Sequence, residues 1–125
     1  MSLDDVMRAL KKAGSAQTKK IYARHGATEP MFGVRFGTLK GLLDRIGVDQ
    51  ALAMALWKTK NQDARNLAMK IADPARIRSA DLDRWAKENS MRICGAYIAS
   101  LAAEGPLAAA KVRALLAYSD EGLRD

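Results

Sequence analysis

The sequence has little from which to build a reactive or cross-linked site. It holds one cysteine, Cys94, and one histidine, His25. A lone thiol closes no internal disulfide, so the chain reads as a protein of the reducing cytoplasm, with Cys94 a small buried hydrophobe. Cys94 and His25 lie far apart in sequence, which leaves a nucleophilic pair or a zinc site without support, and no metal is expected. No GxxxxGK[ST] or GxGxxG stands between a strand and a helix, and no cofactor is expected. No apolar run approaches the roughly 18 residues that span a membrane. Asp4 and Asp5 stand where a secretory signal would be basic and then apolar. Strand signals are missing as well: the β-branched residues are scattered singly and no alternating segment emerges.

What is present is helical. Hydrophobic residues make up 49% of the 125, but aromatics only 6%, and Ala and Leu, both strong helix formers, supply much of the rest. The length is that of one domain. The net charge is +7, of which +5 falls in residues 1–46. A basic excess of this kind suits an anionic partner such as nucleic acid, or simply serves solubility.

Caps and periodicity divide the chain into short helices. Ser2 caps Leu3–Ala13, with Leu3, Val6, Met7 and Leu10 on one face and Gly14 as the stop. Ser15 caps Ala16–His25, which closes on Gly26, and His25 suits the negative end of that helix. From Ala27 to Gly37 the helical pattern lapses into a structured connection anchored by Met31, Phe32, Val34 and Phe36. Thr38 is expected to cap Leu39–Ile46 before Gly47, Asp49 to cap Gln50–Lys58, and Asn61 to open a helix through Ala72 that Asp73-Pro74 ends. Ser79 and Ala80 begin Asp81–Glu88, Ser90 or Met91 begins a run to Ala103, and Pro106 at N1 launches Leu107–Tyr118. Ser119 looks like one further cap, which predicts that the chain is the front portion of a longer protein. The expected fold is all-α: about eight short helices in antiparallel pairs, a HEAT-like α-solenoid fragment forming a single domain over 1–125, with a globular bundle as the alternative. Trp57, Trp85, Tyr97 and Tyr118 lie in apolar helical patterns and are expected in the core.

The segment Met31-Phe32-Gly33-Val34-Arg35-Phe36-Gly37-Thr38-Leu39-Lys40 resembles the "yGVrfgdLr" motif of the DNA alkylation repair family, the HEAT-like alkylpurine DNA glycosylases. Ala55-Leu56-Trp57, Asp63-Ala64-Arg65-Asn66-Leu67-Ala68, Asp73-Pro74 and Leu82-Asp83-Arg84-Trp85 follow in the family's order. The resemblance covers nearly all of the chain and about the N-terminal half of a full-length member. It implies a solenoid with a concave basic surface that wraps duplex DNA. In active members it also implies hydrolysis of the glycosidic bond of N3- or N7-alkylated purines, where a carboxylate and aromatic faces stabilise the developing positive charge.

The sequence departs from that pattern where the chemistry sits. The family's catalytic W-x-x-x-D element aligns with Met91-Arg92-Ile93-Cys94-Gly95, so Met91 replaces the aromatic and Gly95 the carboxylate. The family's DNA-facing arginine falls near Arg124 or past Asp125, and its remaining cleft aromatic lies beyond. The resemblance therefore predicts a DNA-binding protein of alkylation repair without catalysis, in the cytoplasm, with no assigned catalytic residue. Its candidate phosphate contacts are Lys19, Lys20, Arg35, Lys40, Lys58, Lys60 and Arg65, all near helix ends or turns. Lys11 and Lys12 also stand close to a helix end. The alternatives are a HEAT-type scaffold for a protein partner, which requires a sizeable exposed apolar patch, and an active glycosylase drawing its carboxylate from Asp81, Asp83 or Glu88.

Overall fold

The computed structural model describes residues 1–91, 94–107 and 109–124, with residues 118–124 described by their backbone. Eight α-helices are found among them and no strand: α1 Leu3–Ala13, α2 Ala16–Arg24, α3 Phe36–Ile46, α4 Gln50–Lys58, α5 Gln62–Ile71, α6 Ser79–Glu88, α7 Cys94–Glu104 and α8 Ala109–Arg124. No helix of the described residues is long and apolar enough to cross a membrane. The chain separates into two compact units, residues 1–72 and 73–125.

In the first unit the helix starts follow local chemistry. Ser2 accepts from the Asp5 N–H and Asp5 accepts from the Ser2 N–H, a closed capping box at the start of α1. Ser15, Asp49 and Asn61 cap α2, α4 and α5 in the same way, each accepting from the N–H three residues on. The core gathers Val6 and Leu10 of α1, Leu39 and Leu42 of α3, and Leu52, Leu56 and Trp57 of α4 around α5. Eight of the ten residues of α5 are buried, three of them polar: Gln62, Asp63 and Asn66. The Gln62 amide donates to Asn66 Oδ1 at 2.8 Å, so these two satisfy each other inside the core.

In the second unit α6, α7 and α8 pack on one another around Leu82, Trp85, Ile98, Leu101 and Leu115. Trp57 and Trp85 are core residues as expected, and Cys94 is fully buried. Tyr97 is not in the core, because its side of α7 stays open and leaves it 38% exposed. The Tyr118 side chain lies outside the described residues.

Several expected boundaries shift. Helix α3 begins at Phe36 with Arg35 as its N-cap, not at Thr38, because Thr38 N–H and Leu39 N–H already bond to the Arg35 carbonyl. Helix α7 begins at Cys94, while Arg92 and Ile93, within the expected first turn, lie outside the described residues. Helix α8 begins at Ala109, so Pro106 belongs to the preceding turn. There Gly105 rests against Pro74, leaving only 2.1 Å between the Pro74 carbonyl oxygen and any added Cβ. Finally, no new helix starts after Ser119: the backbone of α8 runs through it to Arg124, so the serine's preference for helix starts is overridden within a continuous helix.

Candidate nucleic-acid interface

The segment between α2 and α3 has no regular structure, yet it is tied down along its length. The Asp63 side chain is completely buried and its carboxylate accepts three backbone N–H groups: Phe32 at 2.5 Å and Gly33 at 3.1 Å on Oδ2, and Val34 at 2.7 Å on Oδ1. The Tyr22 hydroxyl donates to the Val34 carbonyl at 2.5 Å, Ser15 N–H to Gly33 O at 3.0 Å, and Gln62 N–H to Pro30 O at 2.9 Å. A buried carboxylate is costly unless hydrogen-bonded, and here the loop supplies the donors. Gly33 must be glycine on two counts. Its φ is +81°, and an added Cβ would meet the Ser15 carbonyl oxygen at 2.4 Å.

The clamp delivers Arg35 to the surface. Arg35 is exposed, extended, and offers no side-chain acceptor to the first turn of α3. Gly37, also exposed, has open space where a Cβ would lie. A helix N-terminus flanked by an arginine favours an anion electrostatically. Lys40, further along α3, is exposed and pairs with Asp44 at 3.5 Å.

Lys19 and Lys20 meet at a shallow depression of about 330 Å³ lined also by Ala16, Ala23, Glu29 and Met31. Lys19 pairs with Glu29 at 2.7 Å, while Lys20 is exposed. The hydrogen bond from Lys19, aided by the Met31 N–H, holds the Glu29 carboxyl below the usual carboxylate range.

Lys58 and Lys60 flank the α4–α5 turn, both exposed, with Lys60 in the left-handed region at φ 62°. Arg65 differs from the other candidates. Its Nε donates to the Trp57 carbonyl at 3.1 Å and its guanidinium lies 4.7 Å from the Trp57 ring centre, so it also fastens α5 to α4. Lys20, Arg35, Lys58 and Lys60 form no ion pair among the described residues.

In the second unit, Gly95 is buried within α7, and Met91 is 2% exposed. Arg124's side chain and Asp125, where the sequence resemblance looked for a DNA-facing arginine, lie outside the described residues. Of the substitute carboxylates, Asp81 is buried and held by Arg78 and Arg84, and Asp83 is engaged by the Lys111 ammonium. Glu88 is exposed near the end of α6. Among the described residues, no three His, Cys, Asp or Glu side chains gather as a metal would require.

Two features escaped the sequence reading. Asp63 was legible only as a carboxylate on a helix face shared with Ala64, Leu67 and Ile71, all fully buried. The Arg78–Asp81–Arg84 spacing, with partners three positions apart, was the other signal.

Comparison with known proteins gives two findings. A family model described as DNA alkylation repair enzyme matches residues 6–105. A solved structure superposes with a TM-score of 0.78 at 36% sequence identity, covering 85% of this chain and 46% of that one. It represents a new family of proteins related to the HEAT-like repeat DNA glycosylases with affinity for branched DNA structures. The chain thus spans about half the length of that relative, and the shared fold is the HEAT-like helical repeat. No curated protein matches.

Proposed function

The chain belongs to the DNA alkylation repair enzyme family, and from that premise we propose that it binds DNA through backbone phosphates and does not itself cleave a glycosidic bond. The observation that carries the reading is the 36% identity, over 85% of the chain, to a protein whose family has affinity for branched DNA. Lys20, Arg35, Lys58 and Lys60 are the first phosphate contacts, being exposed and outside any ion pair among the described residues. Lys19 and Lys40 join by exchanging a surface carboxylate for a phosphate, a small cost in water. Arg65 acts mainly by fixing the turn that presents Lys58 and Lys60.

The non-catalytic half of the reading rests on Gly95. Depurination of an alkylated base needs stabilisation of a developing cation, and the position matched to the family's carboxylate bears no side chain. Asp81 and Asp83 are spent on arginine and lysine partners. Among the described residues, the large apolar side chains that stay exposed, Met1, Ile21, Val48, Tyr97 and Leu116, come from five separate stretches of sequence, which lends a protein-docking scaffold little support.

The test is fluorescence anisotropy with a linear duplex and a four-way junction of equal phosphate number, from 50 to 200 mM salt. Four phosphate contacts correspond to a log–log slope of about −3.6, a loss of roughly 150-fold over that range. The junction is expected to bind more tightly than the duplex. Absence of binding at 50 mM salt, or binding indifferent to salt, overturns the reading. Release of 7-methylguanine from alkylated DNA by the purified chain overturns its non-catalytic half.

A further inference from the structure

At the start of α6 an ion-pair arrangement exceeds what capping that helix requires. Asp81 Oδ2 accepts the Arg78 backbone N–H at 3.3 Å, which is the capping contact. The same carboxylate takes Arg78 Nε at 3.2 Å and Nη2 at 3.5 Å, and Arg84 Nη2 at 3.1 Å. The Asp81 side chain is only 4% exposed, but Arg78 and Arg84 are 78% and 49% exposed. One buried carboxylate therefore braces two guanidinium groups at the surface, and the trio keeps one net positive charge.

We propose that Arg78 and Arg84, braced by Asp81, form a binding fork for a phosphate group, which in this protein is a backbone phosphate of DNA. Each guanidinium carries five N–H donors in a rigid plane, and most remain available after the contacts to Asp81. Long side chains normally lose rotamer freedom on grasping a ligand. Here part of that ordering is complete in the folded chain, which favours binding. The nearby carboxylates are already matched: Asp83 holds the Lys111 ammonium and Asp73 faces Arg76 at 3.9 Å. Burial would push the Asp81 carboxyl up, but hydrogen bonds from Arg78 and the charges of Arg78 and Arg84 outweigh it and keep it ionised at neutral pH.

The assignment of DNA as the phosphate source rests on the DNA-binding reading above, so the experiment has two independent arms. In the first, the intact chain is titrated with inorganic phosphate while the Arg78 and Arg84 Nε–Hε signals are followed by NMR. Both are expected to shift, and shifts confined to other arginines overturn the fork. In the second, DNA binding is compared across variants. Arg78→Gln and Arg84→Gln are each expected to weaken binding several-fold and to flatten the salt slope by about 0.9. Arg84→Lys keeps the charge but loses the planar fork, and is expected to weaken binding about threefold. Asp81→Asn gives the sharpest contrast. A site driven by net charge alone would bind DNA more tightly once the acid is gone, whereas a braced fork does not gain. Tighter binding by Asp81→Asn, or unchanged binding and slope in Arg84→Gln, overturns the proposal. If Asp81→Asn fails to fold, Arg84→Lys decides the matter. Phosphate-induced shifts without any DNA binding would keep the fork and discard the DNA reading.

Discussion

Removing the Asp63 carboxylate should damage the first unit more than the loss of one polar side chain from a hydrophobic core suggests. Two of its three donors, Gly33 N–H and Val34 N–H, are buried, and the third, Phe32 N–H, is partly so. A buried N–H that loses its acceptor costs about 1–3 kcal/mol. Asp63→Ala is therefore expected to cost about 4 kcal/mol, with the two buried donors dominating and water relieving the third. Against a typical domain stability of about 5–15 kcal/mol, that leaves the unit close to its folding threshold. Asp63→Asn is the quantitative variant. With its oxygen at the Oδ2 position it still serves Phe32 and Gly33, but its amino group then opposes the Val34 N–H. The expected loss is about 2 kcal/mol, or a melting temperature lower by roughly 10 °C for a unit of this size.

Urea denaturation followed by circular dichroism gives the free energy, and amide hydrogen exchange gives the location. Exchange protection at Phe32, Gly33 and Val34 should fall first, ahead of the α4 and α5 amides. The reasoning is refuted if Asp63→Ala costs less than about 1 kcal/mol, or if the loop amides exchange as slowly as in the parent.

Two further expectations concern glycine and pH. Gly33→Ala should destabilise by about 2 kcal/mol or more in thermal melts, because it combines a positive φ with a carbonyl contact; Gly41→Ala, in α3 with nothing near the added methyl, should stabilise by about 0.5–1 kcal/mol. Asp81 is depressed in the folded state, so its contribution is present above the usual carboxylate range near pH 4 and is lost as pH falls through the lower folded value. Acid titration of stability should therefore show a decline below about pH 4 that Asp81→Asn flattens, and equal declines in both proteins would contradict the ion-pair account.

The parts of this fold that sequence alone disclosed are those decided within one helical turn. The Ser2–Asp5 box and the caps at Ser15, Asp49 and Asn61 involve partners three residues apart, and each helix starts where its cap stands. The start of α3 was misread because Thr38 is a good local cap and Gly37 a plausible turn. What sets it is remote: Asp63 fixes the Val34 N–H and Tyr22 fixes the Val34 carbonyl, leaving Arg35 extended at the mouth of the helix. Ser119 shows the opposite failure, a local preference that α8 ignores. The chemistry of Asp63 was illegible for the same reason as α3, since its donors lie about thirty positions away in sequence. Sequence places a charge, whereas the tertiary partner decides whether that charge is available.

That distinction bounds the DNA reading numerically. Lys20, Arg35, Lys58 and Lys60 enter the count without giving up an ion pair among the described residues, which sets the lower slope at about −3.6. Lys19 and Lys40 can be recruited, because exposed pairs such as theirs with Glu29 and Asp44 are worth at most about 1 kcal/mol. Arg65 does not enter, since turning to phosphate would abandon both the Trp57 carbonyl and the Trp57 ring. Adding the two recruitable lysines and the Arg78–Arg84 fork places the upper limit near −7. A measured slope shallower than the lower bound means that the exposed cations do not all face DNA. A slope steeper than the upper bound requires Arg65, Lys11, Lys12 or other cations outside these candidates to take part, and a side chain's tertiary partner would then not decide its availability to phosphate.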